Sequence, residues 1–96
     1  MLIDKVKKAR RIMTDAFDDQ IGDLLESGLC DLAITGANIY VERDENNAIV
    51  DADPLIREAL ITYVALHFGE PDDYDRLARS YAEQKAQVRC NPKYEV

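Results

Sequence analysis

The sequence predicts an all-α fold, a small four-helix bundle with an extended loop or β-hairpin inserted between helices two and three. Three observations lead there. Apolar residues recur at three- and four-residue steps in four separate stretches. One internal stretch, residues 37–51, breaks that period and carries β-branched and aromatic residues around a polar tip. With 96 residues, 4 Gly and 3 Pro, there is room for one domain and little irregular structure.

The first helix spans residues 2–13, where Leu2, Val6, Ala9 and Met13 form one stripe widened by Ile3 and Ile12. Lys5, Lys7, Lys8, Arg10 and Arg11 fill the rest of its surface. A polar connection follows, with Asp18 or Asp19 able to cap the second helix, residues 20–35. There Ile21, Leu24, Leu25, Gly28, Leu29 and Leu32 trace one face. Gly28 costs about 1 kcal/mol of helix propensity relative to Ala, so its place in the stripe points to the close approach of another helix. Gly36 is positioned as the left-handed terminator.

Within 37–51, Ile39-Tyr40-Val41 and Ala48-Ile49-Val50 flank the polar run Glu42 to Asn47, the pattern of a hairpin or projecting loop. Two short strands alone are marginal, so this piece cannot be the core. Asp53-Pro54 then starts the third helix, residues 54–68, with Asp as N-cap and Pro in the first turn. That helix is apolar nearly all round, which places it centrally or against a neighbouring subunit. Gly69 ends it and Pro71 opens the fourth helix, residues 71–88, with Asp72 and Asp73 at the positive end of its dipole. Tyr74, Leu77, Ala78, Tyr81, Lys85 and Val88 share one face, and residues 89–96 form a tail.

Composition narrows the function. Twelve basic against nineteen acidic residues give a net charge of −7, which argues against a protein that wraps nucleic acid or coats a membrane surface. No apolar run reaches the length of a bilayer span and no secretory leader is read at the N-terminus, so a soluble intracellular chain is expected. Cys30 and Cys90 lie sixty residues apart and are read as reduced thiols, because a structural zinc site needs about four ligands and His67 is the lone histidine.

Catalytic constellations are missing. The carboxylates Asp72, Asp73, Asp75, Asp51 and Asp53 fall at helix starts, where capping and dipole compensation account for them. The run Glu42 to Asn47 lacks the central Gly and terminal Glu of a calcium loop. His67 has no catalytic partner in sequence, and no phosphate loop, nucleophile elbow or HExxH occurs. An acyl-carrier role needs a Ser at a helix start, whereas Ser27 lies inside helix two. An enzyme is not expected, nor any cofactor or metal.

Charge is distributed unevenly. Residues 1–13 hold five basic and one acidic side chain, net +4, while residues 14–96 hold seven basic and eighteen acidic, net −11. Beside a plain solvated helix face, this split suggests a positive helix meeting a negative surface on another subunit or protein, a contact weakened by salt.

The order and spacing of the helical motifs resemble a known family. Ile21 to Leu32 followed by Ile34-Thr35-Gly36, then Asp53-Pro54-Leu55-Ile56 through Tyr63-Val64-Ala65-Leu66-His67-Phe68-Gly69, then Asp72 to Tyr81, is similar to the small head–tail connector proteins of tailed phages and prophages, also described as DNA-packaging or head-completion adaptors. In that family a D-x-L-I-x-x-A-I-x-x-Y-V-x-x-H-F-G helix precedes one ending in S-Y-x-x-x-K, which Ser80-Tyr81 and Lys85 match. The likeness covers nearly the whole chain and is weakest over residues 37–51.

The resemblance implies a structural virion protein of the neck, made in the host cytoplasm. It implies a homo-oligomeric ring, about a dozen subunits, beneath the portal protein, extending the DNA channel and offering a platform to the tail or stopper protein. DNA would only pass through, and an acidic lumen would repel its phosphates. On that reading the subunit or portal interface draws on Lys5, Lys7, Lys8, Arg10, Arg11, Tyr63, His67, Tyr81, Arg89 and Tyr94, with the tail and the loop 37–50 as portal or ring contacts. The alternative is a small acidic helical regulatory or binding module acting through protein–protein contacts.

Overall fold

Helix formation stops early in the first element because the backbone closes on itself. In the computed structural model, which describes residues 2–9, 11–12, 16–34, 39–68 and 72–90, α1 runs Leu2–Ala9. The Arg11 amide donates to the Lys8 carbonyl (3.3 Å) and the Ile12 amide to the Lys7 carbonyl (2.8 Å). Arg11 has φ 57°. This pair of bonds around a left-handed residue is a Schellman closure, so α1 is shorter than the 2–13 expected. Only Leu2 and Val6 of α1 are buried.

The second helix, α2, runs Asp18–Ala33. Phe17 holds the N-cap position, and Asp18 and Asp19 lie in the first turn, where their charge suits the dipole. The cap therefore sits one or two residues earlier than the Asp18 or Asp19 the sequence suggested, and Phe17 makes no side-chain cap bond. At the other end Ile34 is still right-handed helical, and Gly36, the expected terminator, lies outside the described residues.

The insertion is a β-hairpin. Strand β1, Val41–Arg43, pairs antiparallel with β2, Ile49–Ala52, with Val41 opposite Ala52, Glu42 opposite Asp51 and Arg43 opposite Ile49. Its tip is closed by Asp44. The Asp44 amide donates to the Ala48 carbonyl, the Asn47 amide donates to the Asp44 carbonyl, and the Asp44 carboxylate accepts from the amides of Asn46 and Ala48. Asn47 takes the left-handed conformation at φ 65°, the arrangement of a type I turn followed by a bulge residue. Asp44 is thereby committed to the turn. Arg43 fastens the hairpin to α2, donating to Glu26 Oε1 at 2.5 Å and Oε2 at 3.3 Å.

Helix α3 runs Pro54–His67 and α4 runs Tyr74–Cys90. Pro54 opens α3 after an extended Asp53, whose carbonyl accepts from the Arg57 amide (2.7 Å). The fourth helix starts three residues later than expected, because Asp72 and Asp73 form a turn before it. It continues through Arg89 and Cys90, so the tail begins later too, and residues 91–96 lie outside the described residues.

Helix α3 is the centre of the packing: it touches α1, α2, α4 and β2. That is why it is apolar on nearly every side, with Ile56, Ala59, Leu60, Val64, Ala65 and Leu66 buried. The hairpin reaches the core through buried Ile49 of β2, with Val41 of β1 and Ala52 of β2 packed partly buried against it. Gly28 marks the tightest helix contact. A Cβ there would lie 2.9 Å from Tyr63 Cδ1 and 3.1 Å from Leu60 Cδ2, so the close approach expected from the sequence is present. The chain is mostly helical with one small sheet, and its extents are 38 × 36 × 18 Å.

Candidate interaction surfaces

Two polar assemblies stand out, and they differ in what they leave free. The first joins α2 to α4. Tyr81 and Lys85 lie one turn apart on α4 and both reach Asp31 on α2. The Tyr81 hydroxyl donates to Asp31 Oδ2 at 2.5 Å, and Lys85 Nζ donates to Oδ1 and Oδ2 at 3.2 and 3.1 Å. The Tyr81 bond, with Lys85 beside it, holds the Asp31 carboxyl below the usual carboxylate range against a partial desolvation that works the other way. Burial, followed by the same Asp31 bond, pushes the Tyr81 phenol well above its ordinary value. Ionised carboxylate and protonated phenol are the states each residue favours in the other. Around them, the Tyr63 ring packs against His67 with centroids 4.3 Å apart and planes tilted by 44°, and it meets Tyr81 edge-on at 5.4 Å. Burial raises the Tyr63 phenol as well.

This assembly is a latch. The principal donors and acceptors are spent on one another, and Tyr81 is only 8% exposed. Three of the residues read from sequence as interface candidates, Tyr63, His67 and Tyr81, converge here. His67 is exposed, Tyr63 half-buried and Tyr81 turned inward. Tyr81 therefore serves the chain's own interior and offers no surface. Asp31, which organises the group, carried no sequence signal beyond lying off the apolar stripe; Tyr81 and Lys85 were placed on one face of α4, and nothing in that spacing named their partner.

The second assembly is an open cleft of about 610 Å³ between the first half of α2 and the inner hairpin strand. Ile3, Leu25 and Ile49 supply its apolar lining, and Asp18, Asp19, Asp23 and Glu26 its acidic side. Gly22 keeps it open, since a Cβ there would meet nothing within 4 Å. Two of the four carboxylates are satisfied within the chain: Asp18 pairs with Lys7 at 3.0 Å and Glu26 with Arg43. Asp19 and Asp23, one helical turn apart and both exposed, have no ion pair among the described residues.

The basic residues of the N-terminal segment divide correspondingly. Lys7 is drawn into the Asp18 pair and is 13% exposed at its side chain. Lys5 is exposed and lies in the field of Asp51. Lys8 and Arg11 are exposed and have no ion pair among the described residues. Arg89 is exposed near the end of α4. Arg10 and Tyr94 lie outside the described residues.

Among the described residues no group of three His, Cys, Asp or Glu is placed to hold a metal ion, and no helix is long and apolar enough to cross a membrane. Cys30 and Cys90 are exposed and free. No family model, curated protein or solved structure matches the chain.

Proposed function

We propose that this chain is a structural, non-enzymatic adaptor that acts by docking, specifically a head–tail connector subunit of a tailed phage or prophage. It assembles as a ring of about a dozen copies under the portal, extends the DNA channel, and receives the tail or stopper protein. Its four helices form one bundle around α3, and its working place is the neck of the virion.

The observation that carries this reading is the physical role of the resemblance motifs. The Tyr and Lys of the S-Y-x-x-x-K ending are Tyr81 and Lys85, and both close on Asp31 of the helix two segment that belongs to the same likeness. The Tyr and His of the third-helix motif are Tyr63 and His67, whose rings pack against each other, with Tyr63 meeting Tyr81. The residues that carry the resemblance thus pack together as one latch across α2, α3 and α4, which supports reading them as scaffold. Surfaces free for partners are charged faces and an open cleft, consistent with assembly.

The test is genetic and biochemical together. Capsids assembled without this protein should accumulate as filled or leaking heads lacking tails, and the purified chain should bind portal-containing capsids. Normal tailed virions in its absence overturn the reading.

A further inference from the structure

We infer that the cleft between α2 and the hairpin is the receptor for the basic end of α1 from a second copy of this chain. The inference deepens the self-assembly part of the reading above and rests on it. It assigns the contact to Asp19 and Asp23 on one copy, and to Lys8 and Arg11 on the next.

Charge complementarity selects the occupant. Both sides of the contact are those left over after the chain has satisfied itself. Lys7 is consumed by Asp18, and Arg43 by Glu26. At the cleft this leaves Asp19 and Asp23, and in the net-positive N-terminal segment Lys8 and Arg11 at the end of α1, all exposed and without an ion pair among the described residues. Each pair is also local. Asp19 and Asp23 lie four residues apart on one helix, about 6 Å along its axis. Lys8 and Arg11 lie three residues apart at the end of α1, joined by the Arg11 amide bond to the Lys8 carbonyl. Each side of the contact thus carries two like charges close together in the chain.

The cleft contributes more than charge. Its floor of Ile3, Leu25 and Ile49 is apolar, and Lys and Arg carry long methylene stems that lie along apolar surface while their charged heads reach polar groups. Gly22 leaves the space those stems need. Donor and acceptor are different patches of the same molecule, so the contact is heterologous: each copy gives its α1 end and receives another's. Such head-to-tail contacts build rings when the rotation closes. Electrostatic pairing of exposed groups contributes specificity and register more than affinity, and it weakens with salt.

The experiment is a concentration series of the full 96-residue chain at low salt by amide NMR, carried to about 1 mM, where a millimolar contact is half-saturated. The amides of Gly22, Asp23 and Ala48 should shift together with those of Lys8 and Arg11, and added salt should reverse the shifts. The double variants D19K/D23K and K8E/R11E should each weaken association by about tenfold or more. The quadruple variant carrying both reversals should recover it, because its charges are again opposite. Gly22→Leu, which fills the cleft without changing charge, should weaken it likewise while the circular dichroism spectrum stays helical. Absence of concentration-dependent shifts, shifts confined to other surfaces, reversals without effect, or a quadruple variant that stays dissociated each overturn this docking. Failure here with capsid binding retained removes the contact and leaves the connector reading standing. Association through this contact with no capsid binding does the opposite.

Discussion

At Asp31 three neighbours set the energetics of one carboxylate: the Tyr81 hydroxyl, the Lys85 ammonium and the solvent that still reaches a third of the side chain. Removing the hydroxyl alone, as in Tyr81→Phe, leaves the ring packed and takes away a bond to a charged acceptor. Such bonds are worth about 1.5–3 kcal/mol, and partial exposure lowers the expectation here to about 1–2 kcal/mol, readable by urea unfolding at neutral pH. The two helical glycines of α2 make a paired contrast. Gly22→Ala should stabilise by up to about 1 kcal/mol, because the methyl meets nothing and helix propensity improves. Gly28→Ala gains the same propensity but drives a methyl into the Tyr63 ring, which is itself held between His67 and Tyr81. It should destabilise by about 1–2 kcal/mol net. Thermal unfolding of the two variants should therefore move in opposite directions.

Among the elements, the hairpin depends most on local hydrogen bonds. The Asp44 carboxylate receives two amides of the tip, so Asp44→Ala should cost about 1 kcal/mol locally. The check is hydrogen exchange: amides of β1 and β2 should exchange faster while those of α3 change little. The hairpin also shows where sequence reading reaches its limit. Two short apolar pieces around a polar tip located it, yet they left hairpin and loop undecided, since the closing bonds of Asp44 and the left-handed Asn47 are side-chain and backbone choices within five residues. The helices were legible because the 3.6-residue period of a buried stripe is dictated by packing, most plainly in α3. Their ends were less so. Arg11 ends α1 in a conformation for which Gly or Asn is the usual signal, and Asp72-Asp73 precede α4 as a turn where two acidic residues were read as its first turn. Asp31 was hidden for a different reason: its partners lie fifty and fifty-four residues away, beyond any local period. The cleft was hidden likewise, being shared by α1, α2 and the hairpin.

The whole molecule carries net charge −7, and its pH response combines relief of repulsion with loss of the latch. The folded Asp31 carboxyl titrates below its ordinary value of 3.8. Its contribution is therefore complete above that value and is lost as pH falls below it through the lowered folded value. Tyr81 has the opposite sign. Its phenol is raised above the ordinary 10.0, so its contribution is complete below that value and is lost as pH rises beyond it. Stability measured by denaturant across pH should show a plateau between these limits, and the gap between wild type and Asp31→Asn should close on the acid side. A gap that persists unchanged below pH 3.8 would show that Asp31 stabilises through shape and not through charge. A further consequence follows from which strand anchors the hairpin. Ile49 is the one buried side chain of the two strands, and Asn47, Ala48 and Ile49 form one wall of the cleft, so that wall belongs to an element held on the core by few side chains. Sub-global opening of the hairpin, at a free energy below that of global unfolding, would widen the cleft while α3 keeps its packing on α1, α2 and α4, letting the molecule breathe at the place where the inferred guest enters.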